Sequence, residues 1–148
     1  MPDEKDLLLA LFQHNSEQAR HHQIQRATTT NLIIVISSGI IGLIALDHQL
    51  NHADFYPALL LVVLGVFGAL WSAKHHERFA YYTERARGYR DELDSLLPGA
   101  KLKTIKEAAD EETKKKHKFL HKIQLWHLWV FLHIVIAVIG GWIASRTR

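Results

Sequence analysis

Three long stretches of the chain contain no formally charged side chain, and they restrict the fold more than any other feature. They comprise residues 27–46, 55–73 and 123–145. An α-helix needs about 20 residues to cross the roughly 30 Å hydrocarbon core of a bilayer, and buried helices of soluble domains seldom sustain such runs. We therefore predict an all-α membrane protein. Its transmembrane spans are expected at about residues 28–46, 55–73 and 125–144.

The distribution of basic residues predicts the orientation of these spans. Of the 18 Lys and Arg residues, 13 lie between Lys74 and Lys122, and three more precede the first span. The connection from Asp47 to Asp54 has none. Positively charged flanks remain in the cytoplasm, so we predict a cytoplasmic N-terminus, an up-down-up order and an external C-terminus. Arg146 and Arg148 oppose this orientation but are outnumbered.

The segment from Lys74 to Leu97 continues the second span as an amphipathic helix. Its apolar and aromatic side chains alternate at spacings of three and four, as in a helix that packs lengthwise on others: Phe79, Tyr82, Ala86, Tyr89, Leu93 and Leu96. Pro98-Gly99 should end this helix. Thr104 and Glu107 form a capping-box pattern, which predicts the start of a third long helix.

These patterns predict one domain, residues 1–148, built from three long helices. Each helix is expected to be about half transmembrane and half cytosolic. The cytosolic extensions are predicted at residues 3–27, 74–97 and 104–124.

The sequence lacks the residues that several functional classes of protein require. Cysteine is absent, which removes disulfides and thiolate metal sites. The chain has no secretory signal, glycine-rich phosphate loop, catalytic carboxylate pair or Ser/His/Asp order. The basic run Lys114–Lys118 could attract anionic lipid, nucleotide or nucleic acid. Its lysines follow acidic residues one turn earlier, so we favour a solvated helix face. We expect no enzymatic activity, no cofactor, no metal and no nucleic-acid partner.

His133 is the only titratable side chain well inside a predicted span. Ionisable residues within a membrane commonly mark functional sites, and Ser37 and Ser38 should lie at a similar depth. One hypothesis is a water-filled or proton-accessible seam lined by these residues. The interpretation we favour is a neutral imidazole hydrogen-bonded to a serine on another helix.

Six further histidines are expected near the cytosolic face of the membrane: His21, His22, His75, His76, His117 and His121. Imidazoles bind transition metals and titrate near neutral pH. Their spacing matches no metal motif, so we interpret them as interfacial residues and keep metal or pH sensing as an alternative.

Small residues four positions apart occur in all three spans. Such pairs let helix backbones approach closely in lipid, so we predict a close-packing oligomer face: Ser38, Gly42, Gly65, Ala69, Ala137 and Gly141.

The sequences HER, YYTER and YRDEL, which follow a membrane hairpin, resemble the small bacterial SLATT family. The similarity covers about half of the chain, and a third span is not part of the two-span layout of that family. The residues that carry it also form our predicted signal or partner face: His76, Glu77, Arg78, Tyr82, Arg85, Tyr89 and Arg90. The resemblance implies an oligomeric antiphage effector that forms pores or disrupts the inner membrane.

We therefore expect a multi-pass protein of the bacterial inner membrane that forms homo-oligomers controlled through its cytosolic helices. Its expected partners are membrane lipid and further copies of the chain. One alternative is a membrane-anchored scaffold or binding module for a cytosolic protein or nucleotide. A second alternative is a proton or small-ion pathway through His133.

Overall fold

The computed structural model describes residues 3–46, 49–97, 99, 101–118 and 124–148, and within these ranges the secondary structure is entirely helical. The helices are α1 (Glu4–Ile44), a single 3-10 turn (His52–Asp54), α2 (Phe55–Ser95), α3 (Lys101–Lys116) and α4 (Leu125–Arg146). Of these, α1, α2 and α4 are long and apolar enough to cross a membrane. The prediction of three candidate spans is confirmed.

The predicted third long helix is instead two helices. Helix α3 ends at Lys116, His117 and Lys118 form a turn, and α4 begins only at Leu125. Residues 119–123 of the predicted extension lie outside the described residues. Two physical features favour an end near Lys116. Helix α3 buries none of its residues, so packing does not extend it, and Lys114 and Lys118 place like charges four positions apart.

The start of α3 also differs from the prediction. The helix begins at Lys101, so Thr104 lies inside it and cannot be its N-terminal cap. The buried carboxylate of Asp94 caps the helix instead, because it accepts hydrogen bonds from the backbone N–H groups of Leu102 (2.9 Å) and Lys103 (3.0 Å). Gly99, with a φ of +93°, supplies the left-handed turn between α2 and α3.

The chain divides into two compact units. The polar unit comprises Met1–Gln23 and His76–Gln124, and the apolar unit comprises Ile24–His75 and Leu125–Arg148. In the polar unit, the predicted seam of α2 is partly covered: Ala86 is buried, Tyr82 and Tyr89 are half-buried, and Leu96 is exposed.

The apolar unit contains a continuous hydrophobic core contributed by all three candidate spans. Its buried members include Ile33, Ile40 and Ile44 of α1, Ala58 and Leu61 of α2, and Ile136 and Ile143 of α4. Two glycines allow α2 and α4 to approach closely. A Cβ atom added to Gly65 would lie 2.5 Å from the backbone nitrogen of Ala137, and one added to Gly140 would lie 2.7 Å from the carbonyl oxygen of Ala58. Only residues without a Cβ fit at these two positions.

Candidate functional site: a buried polar cluster in the apolar unit

His133 is held between α1 and α2 with no exposed surface. Its Nε2 atom lies 3.2 Å from the hydroxyl of Thr30, and a Cβ added to Gly68 would overlap the imidazole ring. The predicted partner was a serine on another helix, and the structure instead places the hydroxyl of Thr30, on α1, next to the imidazole. Among the described residues, the Nδ1 atom is buried and has no hydrogen-bond partner.

Arg26 lies one helical turn from Thr30 and is also buried, at 6% exposure. Its guanidinium carbon is 6.0 Å from the ring centroid of Trp129, a cation–π contact. Burial lowers the pKa of Arg26, which precedes the uncharged stretch. Within the described part of the chain, Arg26 Nε, Trp129 Nε1 and Ser72 Oγ are all buried without a hydrogen-bond partner.

Trp71 and His75 extend the cluster along α2. Their rings are 4.5 Å apart, and His75 is buried. The indole Nε1 of Trp71 is a further buried donor for which the described residues provide no acceptor. The cluster is therefore rich in hydrogen-bond donors.

The two serines predicted to accompany His133 lie on different faces of α1. Ser37 is buried and its hydroxyl lacks a partner in the described structure. It is seven residues from Thr30, or about 10 Å along the helix, so it lies beyond the polar cluster. Ser38 is exposed.

The predicted close-packing residues separate into two groups. Gly65, Ala69 and Ala137 line an apolar groove of about 360 Å³ between α2 and α4, and Gly65 contacts Ala137 directly. The other three, Ser38, Gly42 and Gly141, are exposed.

The predicted signal face is also divided. Tyr82 stacks on His22 of α1, with ring centroids 5.5 Å apart and planes inclined by 16°. Burial lowers the pKa of His22, and the nearby charges of His21 and Arg78 add to this effect.

Arg85 is exposed and lies between two tyrosines of the same helix. It donates hydrogen bonds to the hydroxyls of Tyr81 (3.0 Å) and Tyr89 (3.3 Å), and these bonds raise its pKa.

The remaining residues of the signal face lie at different degrees of exposure. Glu77 and Arg78 are exposed, His76 is half-buried, and Arg90 forms an ion pair with Asp91 at 2.6 Å. Within the described ranges, no three His, Asp or Glu side chains are grouped so as to hold a metal ion. His121, one of the six predicted interfacial histidines, lies outside those ranges.

The helices and the buried cluster define an all-helical chain with three candidate membrane-spanning helices. No protein-family model, curated protein or solved structure matches it.

Proposed function

We propose that the chain is a multi-pass protein of the bacterial inner membrane that works as a homo-oligomer. In this proposal the three spans run up-down-up with the N-terminus in the cytoplasm. The basic residues that flank the spans support the orientation. Two contacts between α1 and α4 support the up-down-up order: Thr30 with His133, and Arg26 with Trp129. Both contacts join residues that are 103 positions apart, and a constant separation of this kind is found between parallel helices.

The observation that carries the oligomer is a contrast between two groups of glycines. Gly65, Gly68 and Gly140 each contact a neighbouring helix, so the fold of one chain explains them. A Cβ added to Gly39, Gly42 or Gly141 would meet nothing within 4 Å. Glycine within a helix costs about 1 kcal/mol relative to alanine, and the contacts of a single chain do not explain that cost at these three positions.

Gly42 and the exposed Ser38 form the small-residue pair of α1 on the face away from the buried Ile33 and Ile40. In lipid, close packing replaces the hydrophobic effect as the force between helices. A second copy of the chain packed on this face would explain both small residues.

For activity, we propose a pore-forming or membrane-disrupting effector controlled through the polar unit, as the SLATT resemblance implies. Helix α2 contains 41 residues from Phe55 to Ser95 without a break, and it carries both a candidate span and the Tyr82–Arg85 region. A signal received at Tyr82 or Arg85 would reach the span through one continuous helix.

The oligomer is tested by cross-linking in native membranes. Gly42→Leu should reduce the cross-linked species, because the bulky side chain prevents close approach. Leu43→Phe is the matched control, since it adds bulk at a neighbouring exposed position. Unchanged cross-linking of Gly42→Leu, or only monomers in the unsubstituted protein, would contradict the proposal.

Activity is tested by ion flux through liposomes that contain the purified chain. Flux from an oligomer supports a pore, whereas an oligomer without flux supports the scaffold for a protein or nucleotide partner. Ala86→Pro should uncouple the polar unit while leaving insertion intact, because proline breaks the interior of α2. Normal regulation in this variant would refute control through α2.

A proton or small-ion pathway through His133 is a second candidate. The buried and unpartnered atoms His133 Nδ1, Ser72 Oγ and Ser37 Oγ in the described structure favour it, because such atoms commonly bind internal water. His133→Gln keeps a polar side chain of similar length but cannot relay a proton at neutral pH. Proton flux that is unchanged in this variant would exclude the pathway.

A further inference from the structure

Three buried hydrogen-bond donors of the apolar unit lie at one level of the helix bundle. Arg26 contacts the ring of Trp129, which is one turn from His133. Ser72 is one turn from Gly68, whose backbone packs against His133. Gly65 contacts Ala137 and Gly140 contacts Leu61, so α2 and α4 are antiparallel. When this pairing is continued along the two helices, Ser72 lies beside Trp129.

Among the described residues of this unit, no carboxylate can pair with Arg26. Its only acidic side chains are Asp47 and Asp54. Asp54 accepts a hydrogen bond from the backbone N–H of Asn51 (2.8 Å). Asp54 directly precedes α2, and at 1.5 Å per residue the part of α2 from Phe55 to Ser72 is about 26 Å long.

A buried guanidinium without a counter-charge is costly. The unpartnered Nε of Arg26 therefore favours an acceptor that carries negative charge. The surrounding donors favour an anion with several oxygen atoms, because Trp129 and Ser72 each have a hydrogen to donate and no partner among the described residues.

We propose that Arg26, Ser72 and Trp129 bind the phosphate group of an anionic phospholipid. A guanidinium donates two parallel hydrogen bonds to phosphate oxygens, and an indole N–H and a hydroxyl complete the contacts. Arg26 immediately precedes the uncharged stretch that begins at Ala27, so it lies where lipid phosphates are found in the cytoplasmic leaflet of a cell membrane.

An apolar groove next to this cluster suits the acyl chain of the same lipid. The groove has a volume of about 480 Å³ and is lined by Leu125, Leu128, Trp129, Phe131, Leu132 and Val135. Trp129 thus belongs to both sites, with its Nε1 atom in the polar cluster and its ring beside the groove. A free phosphate ion would leave the groove without a function.

The charges at this end of the unit favour an anionic lipid over a zwitterionic one. Arg26, Lys74 and His75 lie here, whereas Asp54, the described acidic residue of the unit, lies at the opposite end of the membrane part of α2. The amine of phosphatidylethanolamine would find no carboxylate among the described residues at this end. Phosphatidylglycerol has the same phosphodiester without the amine.

The test is native mass spectrometry of the 148-residue chain in detergent, titrated separately with phosphatidylglycerol, phosphatidylethanolamine and inorganic phosphate. We expect tighter retention of phosphatidylglycerol. Arg26→Gln should weaken it by at least about tenfold, the effect of losing one charge-assisted hydrogen bond. Arg20→Gln is the matched control, because it removes the same charge from an exposed position of α1.

Two milder variants apply if Arg26→Gln does not fold. Trp129→Phe keeps an aromatic ring against the groove but removes the N–H, and Ser72→Ala removes only the hydroxyl. Each should weaken phosphatidylglycerol binding by about threefold to tenfold without altering the elution volume of the protein.

Three results would overturn the proposal. Equal retention of phosphatidylethanolamine would remove the selectivity, and unchanged lipid binding by Trp129→Phe and Ser72→Ala would remove the site. Displacement of the lipid by millimolar inorganic phosphate would identify a free-anion site instead. The experiment requires no oligomer, so its failure is distinguishable from failure of the homo-oligomer proposal.

Discussion

Gly68→Ala should destabilise the apolar unit through the imidazole of His133. The added Cβ would lie 2.5 Å from Cε1 and 2.7 Å from Cγ of that ring, about 1 Å short of ordinary carbon contacts. Overpacking of this kind costs about 1–3 kcal/mol. Displacing the ring also breaks its hydrogen bond to Thr30, worth about 0.6 kcal/mol between membrane helices. These two losses sum to about 1.6–3.6 kcal/mol. Alanine favours the helix by about 1 kcal/mol, so we expect a net loss of about 0.6–2.6 kcal/mol in the free energy of unfolding.

The assay is reversible unfolding in mixed micelles, monitored by circular dichroism. Gly88→Ala is the matched control, because nothing lies within 4 Å of its added Cβ and alanine favours the helix by about 1 kcal/mol. Adding His133→Ala to Gly68→Ala should restore much of the lost stability, since the overlap then disappears. If Gly68→Ala is as stable as Gly88→Ala, the packing of the His133 ring against α2 is wrong.

Three further predictions concern the polar unit. Because burial lowers the pKa of His22, the polar unit should be fully stable above the ordinary histidine pKa of about 6.5 and should lose stability as the pH falls through and below that value. The thermal unfolding of His22→Gln should lack this part of the pH dependence. Asp94→Ala should cost about 1–2 kcal/mol and accelerate hydrogen exchange at Leu102 and Lys103, while equal exchange rates would contradict the cap. Gly88→Ala should stabilise α2 by about 0.5–1 kcal/mol, measured by chemical unfolding, because the added Cβ meets no atom within 4 Å.

The candidate spans and the seam of α2 could be predicted because both depend on local sequence patterns. Twenty uncharged residues suffice to identify a possible span. Spacings of three and four identify a buried helix face whatever lies opposite, and this rule placed Ala86 correctly on the covered side. The approximate end of α2 was predictable in the same way from Pro98 and Gly99.

The missed features depend on residues that are distant in sequence. Asp94 caps α3 from eight residues away, where a local capping rule does not look. The sequence did contain one indication of a distant cap, because the residues just before Lys101 include no Ser, Thr, Asp or Asn. Depth in the membrane alone predicts a serine as the partner of His133. Depth does not specify the direction of a side chain around the helix, and this direction selects Thr30.

The buried seam of the apolar unit changes from apolar to polar along its length. At one end Ile44, Ala58 and Ile143 form an apolar core that needs nothing beyond the chain, whereas the other end contains Arg26 and Trp129. Buried polar groups destabilise a fold until they are paired. A partner that supplies acceptors there stabilises the folded state by binding it alone. The lipid site we propose would therefore make the stability of the three helices depend on the anionic lipid around them.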